Sequence, residues 1–157
     1  MSLTTAIVNE STELESLRKQ ATTGDASAQL QLAIRYRDGV GIEKNDHLSL
    51  QWAHQAADQG HADAQDFVGF AYLRGNVIER NTTIAFGYFK AAAASSGQAA
   101  FNLGQCYYGA QGIEQDVPKA LDSWSNAAEA GHGRAAACAA MAYLTGANAA
   151  AKTAKAA

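Results

Sequence analysis

A short apolar–acidic triplet recurs at a nearly fixed interval along the chain. It reads GIE at residues 41–43, VIE at 77–79 and GIE at 112–114, so the copies begin 36 and then 35 residues apart. A period in this range is typical of a solenoid built from repeated supersecondary units. Stacked units of this kind present an extended surface rather than a closed catalytic pocket.

Each period has the pattern of helix A, a short loop, helix B and a glycine. In the first unit Ala28, Leu32, Ala33 and Tyr36 are spaced so that they share one helical face. The pattern predicts helix A at 26–38 and helix B at 46–59, 82–95 and 117–130. The repeated aromatic residues are predicted to pack between helices. They are Tyr36, Tyr72, Tyr107 and Tyr143 on helix A, and Trp52, Tyr88, Phe89 and Trp124 on helix B.

The residues at the helix ends are predicted from their backbone preferences. Asn45, Asn81 and Asp116 suit the N-cap of helix B, and Pro118 suits the first turn that follows Asp116. Glycine is expected to end helix B in each unit, and the isoleucine of each triplet is expected to pack under its loop. These residues are Gly60, Gly97 and Gly131, and Ile42, Ile78 and Ile113.

The two ends of the chain differ from the repeats. Residues 10–23 read as an additional helix, with Thr12 and Glu15 in capping-box spacing. Its Leu14, Leu17 and Ala21 are expected to pack against the first repeat as a cap. Residues 147–157 are nearly all alanine and lysine, which favours a loosely held helix or a frayed tail.

Composition and charge narrow the class of function. The formal net charge of −3 argues against nucleic acid as a partner, because its binders usually carry a basic surface. The N-terminus lacks the basic segment and apolar run of a signal peptide, and no stretch approaches the ~20 apolar residues of a membrane span. We therefore expect a cytoplasmic protein without membrane insertion, although a leader removed from the chain would leave no trace in this sequence.

Residues that could carry chemistry are few. Cys106 and Cys138 form no C-x-x-C pair, so reduced and partly buried thiols are expected, with a disulfide as the less favoured alternative. The histidines, among them His61 and His132, lack metal-ligand spacing and are expected to be solvated at the surface. The acids of the triplets are read as solvated turn residues. We therefore expect no catalytic residue, no metal and no cofactor.

The third unit carries a family resemblance most clearly. It contains Ala99, Leu103-Gly104, Tyr107, Gly112-Ile113, Trp124 and the run Ala127-Ala128-Glu129-Ala130-Gly131 in a single phase. With these residues the chain resembles the Sel1-like repeat family, a relative of the tetratricopeptide repeats. The resemblance implies an all-α fold, namely a right-handed α/α superhelix of stacked helix-turn-helix repeats. It also implies a non-enzymatic protein that binds other proteins, often as a bacterial adaptor.

The resemblance also suggests an organisation of the chain as one domain. It places a capping helix at 10–24, repeats at 25–60, 61–96 and 97–131, a half repeat at 132–146 and an alanine-rich tail at 147–157. In related stacks helix A lines the concave surface, which makes its free positions candidates for binding a partner polypeptide. Those candidates are Leu30, Ile34, Arg37, Phe70, Leu73, Arg74, Phe101, Gln105, Tyr108, Met141 and Leu144.

The function expected on this basis is that of a scaffold or adaptor which captures an unidentified protein segment. Three alternatives remain open. The chain could be a small acidic immunity or inhibitor protein that neutralises one toxin. It could be a hydrolase, as proposed for cysteine-rich relatives, although the absence of cysteine pairs within the repeats argues against this. It could also associate with itself through the unfinished C-terminal repeat.

Overall fold

The computed structural model describes the backbone of residues 3–156 and the side chains of residues 12–146. This part of the chain contains eight α-helices and no strand, as the repeat pattern predicts. It divides into two compact units, with the boundary between Arg80 and Asn81. The first unit holds α1 (Leu3–Thr22), α2 (Ala26–Asp38), α3 (Asp46–Asp58) and α4 (Ala62–Arg74). The second holds α5 (Thr82–Ala92), α6 (Gly97–Tyr108), α7 (Val117–Glu129) and α8 (Ala135–Ala156).

The start of helix B is encoded in the residue that precedes it. Asn45, Asn81 and Asp116 each accept a hydrogen bond from the backbone N–H three residues later, at 2.9, 3.0 and 3.0 Å. These bonds satisfy amide groups that have no partner inside the helix. The Lys119 ammonium hydrogen-bonds to Asp116 and so lowers the pKa of that carboxyl. Pro118 lies in the first turn of α7, as predicted.

Glycine ends α3 and α7 by taking up the left-handed conformation. Gly60 and Gly131 have φ angles of 83° and 85°. The next amide, that of His61 or His132, then donates to the carbonyl five residues earlier, at 3.2 and 2.8 Å. This pattern is the Schellman motif, which favours glycine because a Cβ is unfavourable at positive φ.

The predicted start of α1 and the predicted end of α5 were wrong. Gly97 does not end α5, which already ends at Ala92; Gly97 is the first residue of α6, because the Ser96 hydroxyl accepts the capping bond from the Ala99 amide. The N-terminal helix begins at Leu3 rather than near residue 10, so Thr12 lies within it and cannot be its N-cap. At the other end α8 continues to Ala156, while the side chains of the alanine-rich tail lie outside the described residues.

The core of the first unit is built from consecutive helices. Leu14, Leu17 and Ala21 of α1 pack with Ala28 and Leu32 of α2, which confirms the predicted role of α1 as a cap over α2. Half-buried residues complete this cluster, namely Tyr36, Ile42 and Trp52. Each helix of this unit contacts the next one along the chain, so the unit is a row of sequential hairpins.

In the second unit, the Trp124 side chain of α7 fills the space over α6. Its indole N–H donates to the carbonyl of Phe101 at 3.3 Å, and its ring lies against Gly104. A Cβ on Gly104 would overlap the indole, so glycine is what allows the two helices to approach this closely. Two packing predictions fail in this half of the chain, because Ile113 and Tyr143 are exposed. Tyr143 lies on α8, after which no further helix of the described chain follows to cover it.

Replacing Gly104 by alanine is therefore expected to destabilise the protein. The added methyl group must displace the Trp124 ring, and overpacking of this kind costs about 1–3 kcal/mol. Gly87 provides the control, because it is an exposed residue of α5 and a Cβ there would contact nothing within 4 Å. Gly87→Ala is expected to stabilise the protein by roughly 0.5–1 kcal/mol through helix propensity. Urea unfolding measures both variants, and equal signs for the two would contradict the assignment.

Candidate protein-binding surface

The first unit exposes an apolar and basic surface on α2 and α4. Ile34 and Arg37 of α2 and Phe70 and Arg74 of α4 are exposed, as the binding prediction requires. Leu30 and Leu73 are half-buried. The structure thus brings four of the predicted side chains to the surface of one compact unit.

Each arginine of this surface lies over a phenylalanine ring. The Arg37 guanidinium carbon is 5.3 Å from the centre of the Phe67 ring, and that of Arg74 is 4.7 Å from the centre of the Phe70 ring. Such cation–π contacts are worth roughly 0.5–1 kcal/mol at exposed sites. They restrain two long side chains that would otherwise be mobile in solvent.

The two arginines flank a cleft, which we call the first cleft. Its volume is about 210 Å³. Phe67, Phe70 and Val77 contribute apolar walls. The complete lining is Arg37, Asp46, Ser49, Leu50, Phe67, Phe70, Ala71, Arg74, Asn76 and Val77. Only Arg37, Phe70 and Arg74 of this set were predicted as site residues.

Salt bridges neutralise part of the charge around the first cleft. Arg37 makes two hydrogen bonds to Asp38, at 2.8 and 2.9 Å, which raise the pKa of the arginine and lower that of the carboxyl. Asp46 lies 3.5 Å from the ammonium of Lys44. Arg74 belongs to none of the salt bridges found in the described part of the chain. The positive charge of Arg74 is therefore left without a carboxylate partner among the described residues.

Ser49 places an unsatisfied hydroxyl in the lining of the first cleft. The residue is only 2% exposed, and its Oγ has no hydrogen-bond partner among the described residues. It lies four residues after the N-cap Asn45, and the equivalent residues of the later repeats are Ala85 and Ala120, both fully buried. The position thus accepts alanine elsewhere in this fold.

The second unit has a cleft at the equivalent place, which we call the second cleft. Its volume is about 450 Å³, and its lining is Tyr108, Arg134, Ala137, Cys138, Met141, Ala142 and Thr145. Counted by repeat position, Tyr108 replaces Arg37, Cys138 replaces Phe67, Met141 replaces Phe70 and Thr145 replaces Arg74. Tyr108, Met141 and Leu144 are exposed, and Gln105 is half-buried.

Phe101 must be removed from the predicted surface. It is only 5% exposed and belongs to the core cluster of the second unit. The imidazole of His132 stacks on its ring with 4.2 Å between centres, and the Arg134 guanidinium lies 5.6 Å from the ring centre. The turn before α8 therefore covers Phe101, which the pattern of helix A positions predicts to be exposed.

His61 and His132 are not the solvated surface residues that the sequence suggested. Both are half-buried and occupy the same position in their repeats. His132 Nε2 lies 3.1 Å from the Gln98 side-chain oxygen, and His61 Nε2 lies 3.4 Å from the Ser27 hydroxyl. The histidines therefore connect the turn to the start of the preceding helix A, which is a structural role.

The sequence analysis missed two main residues of the first cleft, Phe67 and Ser49. Both depart from the residue type found at the same position in the later repeats. Phe67 lies next to the core residue Val68, and Ser49 lies on helix B, so neither fits a rule based on helix A offsets. Their departure from the repeat pattern could have identified them. The later repeats have Asn102 and Cys138 at the position of Phe67, and alanine at the position of Ser49.

Chemistry-bearing groups do not converge in the described part of the chain. No three His, Cys, Asp or Glu side chains there are placed to hold a metal ion. Cys106 and Cys138 are both free thiols, as predicted. None of the helices within residues 3–156 combines the length and apolar character needed to cross a membrane.

The repeat geometry agrees with one protein family. The family model described as Sel1 repeat matches residues 26–61, 62–96 and 97–132, which together make up more than half of the chain. The chain belongs to the Sel1 repeat family. Proteins built from Sel1 repeats generally act as non-catalytic scaffolds for protein–protein interaction.

Two curated proteins are similar in sequence to the chain over part of their own length. One is the chitin synthase regulator SKT5 of Saccharomyces cerevisiae, which is 33% identical over 84 residues. This match covers 52% of the chain and 12% of the yeast protein. The other is the uncharacterized protein NMB1327 of Neisseria meningitidis serogroup B, 31% identical over 147 residues, with 73% of the chain and 31% of that protein covered. The chain thus spans less than a third of either relative.

Solved structures share the Sel1 repeat fold. A Sel1 repeat protein from Oxalobacter formigenes has a TM-score of 0.75 and 32% identity, with 81% of the chain and 96% of that structure covered. The c5321 antigen of uropathogenic Escherichia coli has a TM-score of 0.71 and 33% identity, covering 75% of the chain and 26% of that structure. Cysteine rich protein B of Helicobacter pylori has a TM-score of 0.65 and 17% identity, with 83% of the chain and 94% of that structure covered. At this identity the similarity supports the fold alone.

The two thiols of this Sel1 repeat protein are expected to react at different rates. Burial raises the pKa of Cys106 to about 11, and the residue is 1% exposed, whereas Cys138 is half-buried and lines the second cleft. Near pH 8 the thiolate fraction of Cys106 is therefore about 100-fold below that of a thiol with a pKa near 9. Mass spectrometry after brief iodoacetamide treatment should find Cys138 alkylated first, and urea should equalise the two. Faster alkylation of Cys106 in the folded protein would contradict its burial.

Proposed function

We propose that the chain is a non-enzymatic scaffold or adaptor which captures a partner polypeptide on the exposed face of its A helices. The observation that carries this proposal is the exposure of large apolar side chains at repeat-equivalent positions. These are Ile34 and Phe70 in the first unit and Tyr108, Met141 and Leu144 in the second. Exposed apolar groups clustered at clefts are typical of interaction sites in otherwise polar surfaces.

The pattern of exposure supports binding more than packing within the chain. Buried apolar positions of the A helices, such as Leu32 and Val68, are almost inaccessible. The exposed ones lie at other offsets on the same helices, and three of them, Phe70, Tyr108 and Met141, line the two clefts. A partner segment that covers them would gain the burial of aromatic and aliphatic groups, which often supply most of the binding energy at interfaces.

The curated relatives are compatible with this role. One of them is named as a regulator of an enzyme, chitin synthase, rather than as an enzyme. A scaffold that holds a partner would fit such a regulatory role. Because the chain spans only a small part of that relative, we carry over the general role of binding and no specific partner.

The proposal predicts that Phe70→Ala and Tyr108→Ala weaken capture of the partner without unfolding the protein. Their exposed fractions are 41% and 37%. The control is Ile84→Ala, at 40% exposed on α5, which is a B helix. Partners are first identified by affinity capture and mass spectrometry, and affinities are then measured with the purified partner. Loss of roughly tenfold in the test variants is expected for interface aromatic residues. Equal loss in the Ile84→Ala variant would contradict a helix A site.

Self-association is a second candidate, supported by the end of the described chain. Met141, Tyr143 and Leu144 of α8 are all more than half exposed. If they form a dimer contact, Met141→Ser with Leu144→Ser should convert dimers to monomers in light scattering after size exclusion. A wild-type protein that is monomeric across the concentration range would exclude this candidate.

A further inference from the structure

We propose that the first cleft binds an acidic side chain of the partner together with the large apolar side chain next to it. This inference rests on the proposed function, since it names the chemistry of the segment that the first unit captures. Four observations support it: the unpaired charge of Arg74, the unsatisfied hydroxyl of Ser49, the apolar walls, and the contrast with the second cleft.

The charge of the first cleft favours one carboxylate. Arg37 is paired with Asp38 and Asp46 with Lys44, which leaves Arg74 as the one cationic lining residue without a salt bridge among the described residues. The Arg74 guanidinium carbon lies 4.7 Å from the centre of the Phe70 ring. The N–H groups of a guanidinium point outward in its own plane, where they can donate to a ligand. A carboxylate carries the matching single charge. A phosphate group carries about −1.5 to −2 at neutral pH and would be only partly compensated.

The Ser49 hydroxyl supplies an independent sign of a polar ligand. A buried hydroxyl without a hydrogen bond costs about 1–3 kcal/mol. Alanine at this position would remove that cost, and the equivalent Ala85 and Ala120 show that alanine fits. A ligand oxygen that accepts a hydrogen bond from Ser49 Oγ would satisfy the hydroxyl. Ser49 and Arg74 both line the first cleft. The Ser49 Oγ itself is fully buried, so a ligand carboxylate that accepts from both groups requires the side chains around Ser49 to move.

The remaining lining favours an apolar neighbour to that carboxylate. Leu50, Phe67, Phe70, Ala71 and Val77 provide most of the walls. A cavity of about 150 Å³ holds a benzene molecule, so the 210 Å³ of the first cleft has room for one aromatic or branched side chain. Ile34, one turn of α2 before Arg37, extends the apolar surface beyond the cleft. The bound segment therefore continues past the cleft, which favours an acidic side chain within it over a chain terminus.

The second cleft serves as an internal comparison. It holds Tyr108 and Thr145 where the first cleft holds Arg37 and Arg74, and Ala120 stands at the position of Ser49. Its arginine, Arg134, lies over the Phe101 ring at a different repeat position. The second cleft therefore also holds one arginine without a salt bridge among the described residues. Only the combination of such an arginine with the Ser49 hydroxyl is confined to the first cleft, while both clefts keep apolar walls.

Two blocked dipeptides test the inference on the full chain. The probes are acetyl-Phe-Glu-amide and acetyl-Phe-Gln-amide, which differ in charge and hardly in shape. Titrations are followed by ¹H–¹⁵N NMR of the backbone amides and the arginine Nε–Hε groups. We expect the glutamate probe to bind roughly three- to tenfold more tightly, with shifts at Arg74 and Ser49. The preference should decrease as salt is added, because the charge is partly solvated.

Variants of Arg74 and Ser49 separate the contributions of these two side chains to the preference for glutamate. Arg74→Gln should remove the preference for glutamate, and Ser49→Ala should reduce it by about half or more while the fold is retained. Arg18→Gln is the matched control, since it removes an exposed arginine of the first unit that lines neither cleft. Far-UV circular dichroism and urea unfolding verify that each variant is folded.

Several outcomes would overturn the inference. They are equal binding of the two probes, an unchanged preference in Arg74→Gln, or shifts confined to the second cleft. A third probe, acetyl-Gln-Phe with a free C-terminal carboxylate, should bind more weakly than the glutamate probe; tighter binding would overturn the assignment to an acidic side chain. Because these titrations use no partner protein, their failure would leave the proposed scaffold function intact. Failure of the Phe70→Ala and Tyr108→Ala experiment would instead contradict that function.

Discussion

The close approach of helices at small side chains is the constraint on which the rest of this structure depends. Each A helix places an alanine at the same repeat position, and all four are buried almost completely. They are Ala28, Ala64, Ala99 and Ala135. Helix axes can approach closely where the contact residues are small, and a larger group there would overpack the interior. The buried face of every A helix is therefore fixed, and with it the set of positions that remains exposed.

The sequence could predict what depends on local chemistry. The N-caps Asn45, Asn81 and Asp116 follow from side chains that accept backbone hydrogen bonds within one turn. The glycines at positions 60 and 131 follow from the left-handed conformation that the Schellman motif requires. The all-α repeat fold follows from the period itself. The caps and glycines need only residues within a few positions of each other, and the period of 35–36 residues can be read along the chain itself. One sequence was therefore enough to predict these features.

The errors concern residues whose environment is set by another repeat or by its absence. Phe101 has the offset of a surface residue, but the turn around His132 covers it. Tyr143 occupies the position of three packed or half-buried tyrosines, yet it is exposed on α8. Gly97 resembles the glycine that ends helix B, but Ser96, one residue earlier, is the N-cap of α6, so that Gly97 is the first residue of this helix. A periodic pattern treats all repeats as equal and therefore misses differences of this kind.

The candidate site could be predicted only in part for the same reason. A rule of helix A offsets finds Arg37, Phe70 and Arg74, but the first cleft also depends on Ser49 and Leu50 of the neighbouring B helix. The specificity that we propose for the first cleft depends on departures from the repeat pattern, since the second cleft lies at the equivalent repeat position but has different side chains. In repeat proteins each unit contacts mainly its neighbours. Surface side chains of a cleft can then change while the buried alanines stay, so stability and binding specificity are largely separable.

Ser49 is the residue at which that separation fails. It lies in the buried layer, where Ala85 and Ala120 pack without a polar group, and also lines the first cleft. A hydroxyl there lowers the stability of the free protein, because burial removes its hydrogen bonds to water and the described chain replaces none of them. The same hydroxyl can contribute to binding only when a ligand brings an acceptor. Under the binding chemistry that we propose, Ser49 contributes to recognition rather than to packing, and the first cleft differs from the second in the ligand that it selects.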